Sequence, residues 1–231
     1  MISSHQTADA MISLGGLALD FGRVNRITYH QDGLTPESDT DHTVMLGLIA
    51  CALADRYFPD LNVGLIAQYA LVHDFVEVYA GDTPTLRMQS SDAKAEKAAR
   101  EQAALVRIHR EFRGTLPWVA TLISSYETRL TPEARFVKAL DKLLPKITHI
   151  LNGAVTIRKQ GMRPEELADR YEAQIGELQT YAADFPALFD LRWVLVDRVL
   201  CSLGEQDASV APQVPSRMKT VEDAAPAGGV L

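Results

Sequence analysis

Hydrophobic positions along this chain recur at the three- and four-residue spacing of amphipathic helices, from about residue 7 to about residue 203. We find no run of short strands with alternating polarity and hairpin turns. The pattern predicts helices over these segments: 7–20, 39–57, 62–80, 91–112, 117–128, 131–157, 164–183 and 186–203. We therefore expect an all-α fold, a helical bundle in which residues 21–40 form a polar, turn-rich connection.

Two of the predicted helices, 39–57 and 62–80, carry apolar residues on nearly all sides. Helices of this kind lie at the centre of a fold, so we expect these two to pack against each other. Asn62 is the expected N-cap of the second one. Within 131–157, Pro145 lacks a backbone N–H and predicts a kink or a break into two helices.

The domain organisation follows from where the helical period stops. At 231 residues the chain is long enough to bury a substantial core. From residue 205 onward it turns to Ser, Ala, Pro, Gly and scattered charge, with no apolar period. We expect one domain over residues 1–204 and a largely disordered tail over residues 205–231.

Composition narrows the class of protein. The chain is 47% hydrophobic and 23% charged, and its net charge of −7 argues against broad, non-specific binding of nucleic acid polymers. It shows no basic segment followed by an apolar run at its start, and no stretch of about 20 apolar residues that a membrane span needs. Two cysteines provide no disulfide framework. We expect a cytoplasmic protein that binds no membrane.

Candidate chemistry is concentrated in the predicted helix 62–80, where His73, Asp74 and Glu77 place an imidazole and two carboxylates within five residues. His73 and Glu77 are four residues apart and share one face of a helix. Burying such groups without partners would cost several kcal/mol, and a divalent cation would satisfy them. The alternative is a core histidine next to an ordinary Asp and Glu at a helix end.

Two other predicted helices carry similar groups, His42 near the start of 39–57 and Asp141 within 131–157. Three central helices that each offer a ligand-type side chain are typical of a metal site in a helical bundle. Two histidines and two aspartates form a nitrogen and oxygen set that suits Mn, Co, Fe, Ni or Zn better than Ca. Such a cation would polarise a phosphoryl group and lower the pKa of its bound water.

The order His42, His73-Asp74, Asp141 resembles the H…HD…D signature of the HD-domain phosphohydrolase superfamily. The flanking residues resemble its 5′-deoxynucleotidase branch in order and spacing over about residues 10–160. They are Asn25-Arg26, Pro36-Glu37-Ser38-Asp39-Thr40-Asp41-His42, Gly81-Asp82-Thr83-Pro84, Tyr126-Glu127-Thr128 and Ala134-Arg135-Phe136-Val137-Lys138-Ala139-Leu140-Asp141-Lys142.

The resemblance implies that His42, His73, Asp74 and Asp141 bind one divalent metal ion, which would be Mn, Co, Fe, Ni, Zn or Mg. It implies metal-dependent hydrolysis that removes phosphate from deoxynucleoside 5′-monophosphates. The substrate would be a small nucleotide. Close relatives of this kind are commonly dimers, so we expect a homodimer.

The resemblance also implies roles for residues around the metal. Glu77 would orient or deprotonate the attacking water, and Asp82 would contact the deoxyribose and assist catalysis. Arg26 would hold the phosphate, for which its planar guanidinium is well suited. Ile27 stands where the branch commonly has Trp, and the loop from Arg26 to His42 is about one residue longer. An isoleucine cannot stack on a base, so base choice and pocket size stay open.

Other functions are compatible with the same residues. Lys94, with Lys97 and Arg100, could reach a longer phosphate chain, which favours a nucleoside triphosphate or nucleotide-analogue phosphohydrolase; the alternative is a plain surface helix. A third possibility is a binding module with a degenerate site that senses a nucleotide. The presence of all expected ligands, and of Glu77, counts against degeneracy.

Overall fold

The computed structural model describes residues 3–204, so the tail expected over residues 205–231 lies outside the described part of the chain. Within the described part, helices dominate and the all-α prediction is confirmed. The elements are α1 (Ser4–Phe21), β1 (Asn25–Tyr29), β2 (Pro36–Ser38), α2 (Asp39–Tyr57), α3 (Val63–Val72), α4 (Glu77–Ala80), α5 (Ser91–Phe112), α6 (Trp118–Glu127), α7 (Pro132–Leu151), α8 (Val155–Lys159), α9 (Pro164–Ala182) and α10 (Pro186–Gly204).

The polar connection contains a small sheet that the sequence pattern does not predict. Strands β1 and β2 pair antiparallel, with Asn25 opposite Ser38 and an irregular register between them. The turn is stabilised by the carboxylate of Asp32, which accepts hydrogen bonds from the backbone N–H groups of Leu34 and Thr35. Strands of five and three residues are too short for a period of two to be visible in the sequence.

The segment predicted as one helix over 62–80 is interrupted. Asn62 caps α3 as expected, but α3 ends at Val72 and α4 begins at Glu77. At the point of interruption, Nδ1 of His73 lies 2.8 Å from the carbonyl oxygen of Ala70, an oxygen that the helical ladder would otherwise use. The backbone instead makes tight turns between residues 72 and 77. The interruption lies within the sequence that carries the candidate ligands.

Helices α2 and α3 pack against each other, and α7 packs against both, as expected for central helices. The contact surface is apolar and fully buried, and includes Leu46, Ala50, Ile66, Ala70, Phe136 and Leu140. Helix α2 is not buried on all sides, however, because two of its apolar residues, Val44 and Leu48, are 55% and 69% exposed.

Pro145 does not break its helix, because α7 continues without interruption from Pro132 to Leu151. The chain leaves the helix instead at Gly153 and Ala154, which both have a φ of 62°. Pro145 therefore only removes one hydrogen bond from inside α7, the bond to the carbonyl of Asp141 four residues earlier. Among residues 3–204, no helix has the length and apolar character that crossing a membrane requires.

Local capping places the first turn of α2 beside this core. The hydroxyl of Ser38 accepts a hydrogen bond from the backbone N–H of Asp41, and the side chain of Asp41 in turn accepts from the backbone N–H of Ser38. This capping box fixes the direction in which α2 begins. The next residue, His42, is thereby directed into the interior, where it is 1% exposed.

Candidate metal centre

The first turn of α2, the end of α3 and the middle of α7 bring four side chains to one point. His42, His73, Asp74 and Asp141 each offer one ligand atom, and these atoms all lie within 4.8 Å of one another. The two histidines and Asp141 are buried, and Asp74 is partly buried. The structure thus brings together the four residues expected as ligands, although their role in binding a metal stays a prediction.

The orientation of His73 fits a cation. A carbonyl oxygen only accepts hydrogen bonds, so Nδ1 of His73, which bonds to the carbonyl of Ala70, carries the proton. Nε2 then faces two carboxylate oxygens, at 3.0 Å from Asp74 and 3.8 Å from Asp141. This nitrogen is buried and has no hydrogen-bond partner among the residues that the structure describes. A nitrogen lone pair turned towards carboxylates is unfavourable without a positive charge between them.

His42 is held in a similar way, by a residue that the sequence does not reveal. Its Nδ1 lies 3.2 Å from Oε1 of Glu37, and its Nε2 lies 3.1 Å from Oδ1 of Asp141. Burial and the charge of Arg26 oppose protonation, but these hydrogen bonds outweigh them and raise the pKa of His42 to about 9. A metal at Nε2 would compete with that proton. In many metal sites a carboxylate orients the imidazole ligand through its other ring nitrogen. Glu37 is the carboxylate in that position here.

Lys138, one turn before Asp141 on α7, faces the site and forms an ion pair there. Its Nζ donates a hydrogen bond of 2.8 Å to Oδ2 of Asp141. Although burial opposes ionisation, the charge of Lys138 and the hydrogen bond with His42 hold the pKa of Asp141 well below its usual value. Asp141 is therefore a carboxylate, with Oδ2 on the lysine and Oδ1 facing the histidines.

Arg26, on β1, lies at the edge of the same group. Its Nη1 donates to Oδ1 of Asp39 at 3.0 Å and to Oδ2 of Asp74 at 3.1 Å, and lies 4.0 Å from Oε2 of Glu77. Asp39 is fully buried. The guanidinium is thus fixed in position by carboxylates while it lines the open cavity.

Glu77 lies in a second group of carboxylates with Asp39 and Asp82, whose oxygens also lie within 4.8 Å of one another. Burial, followed by the charges of Asp74 and Asp39, raises the pKa of Glu77 to about 10. Lys97 opposes this shift, because its Nζ lies 3.2 Å from Oε1 of Glu77. Burial also raises the pKa of Asp82.

The lysine of α5 that reaches the site is Lys97, not Lys94. Lys94 is exposed and does not line the cavity, so the structure does not place it where the predicted substrate contact would require. Arg100 is also exposed and donates a 2.8 Å hydrogen bond to the hydroxyl of Thr83. The helical period does not reveal which lysine on this charged face meets a carboxylate of α4.

A cavity with about 920 Å³ of empty space, part of it open to solvent, connects these residues. Its metal end is lined by candidate ligands, by Arg26, Glu77 and Lys97, and by the expected substrate contacts Ile27 and Asp82. A further group of lining residues, which we call the basic end, belongs to α7 and α9: Lys142, Lys146, His149, Tyr171 and Gln174.

Lys146 is the most unusual residue of the basic end, because it is a lysine with only 2% of its surface exposed. Its Nζ donates hydrogen bonds to the carbonyl of Lys142 at 3.1 Å and to Oε1 of Gln174 at 3.0 Å. Burial, with the charges of Arg192, Arg170 and Lys142, lowers the pKa of Lys146 to about 7. The sequence gives no sign of this, since a lysine on an amphipathic helix is usually solvated.

Comparison with protein families gives a match over most of the chain. A family model described as HD domain matches residues 22–181. Two solved structures share the fold. One, a predicted metal-dependent phosphohydrolase from Magnetospirillum magnetotacticum, has a TM-score of 0.67 at 23% identity and covers 85% of this chain and 96% of its own. The other, a conserved hypothetical protein from Pyrococcus furiosus, has a TM-score of 0.53 at 22% identity and covers 81% and 98%.

Curated relatives are similar over shorter stretches. The Xenopus laevis protein named 5′-deoxynucleotidase HDDC2 is 31% identical over 145 residues, which are 62% of this chain and 67% of that protein. The Danio rerio protein of the same name is 35% identical over 47% of this chain and 52% of its own length. Schizosaccharomyces pombe 5′-deoxynucleotidase hdd1 is 33% identical over 46% and 54%. This chain therefore spans about half to two thirds of these relatives.

The lowered pKa of Lys146 predicts how the free energy of unfolding depends on pH. The unfolded chain binds this proton with a pKa near 10.5 and the folded chain with one of about 7, so between these values the unfolded state binds more protons. The contribution of Lys146 to the free energy of unfolding should therefore rise with pH, by on the order of 2 kcal/mol from pH 7 to pH 9. Denaturant unfolding at both pH values should show that Lys146→Met lacks this part of the rise.

Lys94→Met is the matched control, because Lys94 is an exposed lysine on the surface of α5. It should keep the wild-type dependence of unfolding free energy on pH. The same rise in Lys146→Met as in the wild type would contradict the assigned environment of Lys146.

Proposed function

The chain belongs to the HD domain family, and on this basis we propose that it is a metal-dependent phosphohydrolase that removes the phosphate of deoxynucleoside 5′-monophosphates. The observation that supports this most directly is the convergence of His42, His73, Asp74 and Asp141 beside a cavity that Arg26 lines. The relatives named 5′-deoxynucleotidase support the choice of substrate.

His42, His73, Asp74 and Asp141 would hold one divalent ion, which would be Mn, Co, Fe, Ni, Zn or Mg. The unpartnered Nε2 of His73 and the two carboxylates beside it supply the mixed nitrogen and oxygen set that such ions take. When bound, the ion supplies Lewis-acid polarisation of the phosphoryl group and a lower pKa for the attacking water. Side chains of the protein carry out the remaining steps.

Arg26 binds and orients the phosphate. Asp39 and Asp74 hold its guanidinium from one side, so its direction is set before a substrate enters. A phosphate that approaches from the cavity meets the remaining N–H groups of the same planar fork. Removal of this side chain would also leave the buried carboxylate of Asp39 without its cation.

Glu77 orients or deprotonates the attacking water. It is buried next to the candidate ligands, and one carboxylate oxygen has no hydrogen-bond partner. Lys97 holds the other oxygen, and its charge, together with that of a cation held by the candidate ligands, would favour the ionised form that a base requires. Asp82 and Ile27 line the cavity beyond Glu77, where Asp82 would accept a hydrogen bond from the sugar and Ile27 would form an apolar wall.

The placement of the basic residues on α5 favours a monophosphate over a triphosphate. Lys94 and Arg100, which would have to bind a longer phosphate chain, are exposed, and Lys94 does not line the cavity. Lys97 does line it, but Glu77 and Glu101 already pair with its charge. A triphosphate or nucleotide-analogue substrate therefore has less support.

The protein would act as a homodimer in the cytoplasm. Val196 and Val199 of α10 are buried against the rest of the chain, which leaves Trp193 and Leu191 exposed at 48% and 41%. Exposed aromatic and aliphatic side chains on one helix are the usual anchors of a chain–chain contact. Cys51 and Cys201 are free thiols, which suits a reducing compartment.

Replacing one candidate ligand tests the hydrolase directly. Asp141→Asn keeps the shape of the side chain but removes the charge that faces both histidines. We expect it to lose bound Mn²⁺ in equilibrium dialysis and at least about 100-fold in kcat/KM for phosphate release from deoxynucleoside 5′-monophosphates. Asp190→Asn, an exposed aspartate on α10, is the matched control and should retain both. Metal-loaded wild-type protein that releases no phosphate from any of these nucleotides would refute the proposal.

A pair of lysine variants tests the role of Glu77. Lys97→Met removes the cation that lowers the pKa of Glu77, so the acidic limb of the kcat–pH profile should move to higher pH by about one unit. Activity at pH 7 should fall by about tenfold in consequence. Lys94→Met, three residues earlier on α5, should leave the profile unchanged. Superimposable profiles of Lys97→Met and wild type would contradict this role.

Multi-angle light scattering tests the assembly. We expect twice the mass of one chain for the wild type, and a shift towards the single-chain mass for Trp193→Ala, because an exposed anchor would be lost. Leu130→Ala, which truncates another exposed side chain (79% exposed), should stay dimeric. A wild-type mass equal to one chain at micromolar concentration would contradict the homodimer.

A further inference from the structure

The hydrolysis proposed above for a simple monophosphate uses no residue of the basic end of the cavity. At the metal end, each cation that lines the cavity has a carboxylate partner: Arg26 pairs with Asp39 and Asp74, and Lys97 pairs with Glu77. A phosphate entering there meets positive charge that is already compensated. The arrangement at the basic end of the same cavity is different.

Lys146 has no such partner. Among residues 3–204, no carboxylate lies within 4.0 Å of its Nζ, which instead contacts a backbone carbonyl, the amide oxygen of Gln174 and, at 4.6 Å, the ring centre of Tyr171. Behind Tyr171 lies Arg192, also buried, which donates to the carbonyl of Tyr171 while its Nη1 has no hydrogen-bond partner. The basic end thus concentrates buried positive charge without a matching anion.

Two further polar atoms of the basic end have no partner. The hydroxyl of Tyr171 and Nδ1 of His149 are buried and form no hydrogen bond with residues 3–204, although both residues line the cavity. Both side chains are more than nine-tenths buried. A buried polar group without a partner is costly. A ligand that accepts hydrogen bonds from the Tyr171 hydroxyl, and from His149 in its Nδ1–H tautomer, would relieve that cost.

We propose that the basic end is a second phosphoryl subsite, in which Lys146, Tyr171 and His149 bind a phosphate group of the substrate other than the one that reacts. A phosphate group supplies a negative charge for Lys146. It also supplies acceptor oxygens for Tyr171 and His149. The subsite rests on the proposed phosphohydrolase function, since it assumes that the reacting phosphate lies at the metal end.

The two ends can be occupied by one molecule. Asp141 and Lys146 are five residues apart on α7, about 7.5 Å along the helix axis, and both line the same cavity. A second phosphate on the far side of the sugar would therefore extend from the metal end towards Lys146. The substrate that this chemistry selects is a deoxynucleotide with two separate phosphate groups, such as a deoxynucleoside 3′,5′-bisphosphate.

Calorimetric titration of the metal-loaded full chain tests the subsite with three probes: a deoxynucleoside 5′-monophosphate, the 3′,5′-bisphosphate and the 5′-triphosphate of the same base. A Glu77→Gln background slows turnover during the titration. We expect the bisphosphate to bind at least tenfold more tightly than the monophosphate. Lys146→Met in that background should abolish this preference and leave monophosphate affinity unchanged, whereas Lys146→Arg should retain most of the preference.

The outcomes separate the possible sources of the second phosphate. A triphosphate preference that Lys146→Met abolishes would support the subsite and place its ligand on the phosphate chain instead of the sugar. Equal affinity of the wild-type chain for all three nucleotides would overturn the subsite, and this comparison needs no variant at position 146. A uniform loss of affinity for all three in Lys146→Met would also overturn it.

The result also distinguishes failure of the subsite from failure of the enzyme. Phosphate release from the monophosphate without any preference for the bisphosphate would overturn the subsite alone. Tight bisphosphate binding that depends on Lys146, without phosphate release from any nucleotide by the wild-type chain, would overturn the hydrolase alone. Gln174→Leu, which changes a partly exposed neighbour, provides a second variant if Lys146→Met does not fold.

Discussion

The arrangement of the site depends on one buried contact, in which Nε2 of His73 faces the carboxylates of Asp74 and Asp141 with no hydrogen bond to offset the burial. In the neutral ring, the carbonyl of Ala70 holds the proton on Nδ1, so the lone pair of Nε2 points towards the acids. Positive charge near Nε2 relieves this conflict. Lys138 supplies part of it to Asp141, and a divalent cation would supply the rest.

The fold is arranged so that this contact forms. The chain leaves the regular helix where the His73 ring takes the carbonyl of Ala70, and this turn separates α3 from α4. Asp74 can then face α7 while Glu77 begins the next short helix and reaches Lys97 on α5. A continuous helix over residues 62–80 would place these groups one turn apart on a single face. The interruption lets them serve two adjacent carboxylate clusters.

The candidate ligands stand out in the sequence because each is a polar side chain in a segment whose apolar period predicts a helix. The same period gives no role to residues whose importance depends on contacts between distant elements. Glu37 is in a strand of three residues, and its bond to His42 has no signature in spacing. Lys97 and Lys94 are equivalent in the sequence, because both lie on a charged helix face. Only the position of α4 in the fold distinguishes them. Lys146 looks like an ordinary surface lysine until α9 covers it.

The most direct measurement of the central claim is the anomalous scattering of a crystal of the full chain grown with Mn²⁺, recorded at the manganese absorption edge. The account predicts a strong peak within bonding distance of His42 Nε2, His73 Nε2 and one carboxylate oxygen each from Asp74 and Asp141. An ordered protein with no peak at that point would contradict it. So would manganese bound only among Asp39, Glu77 and Asp82.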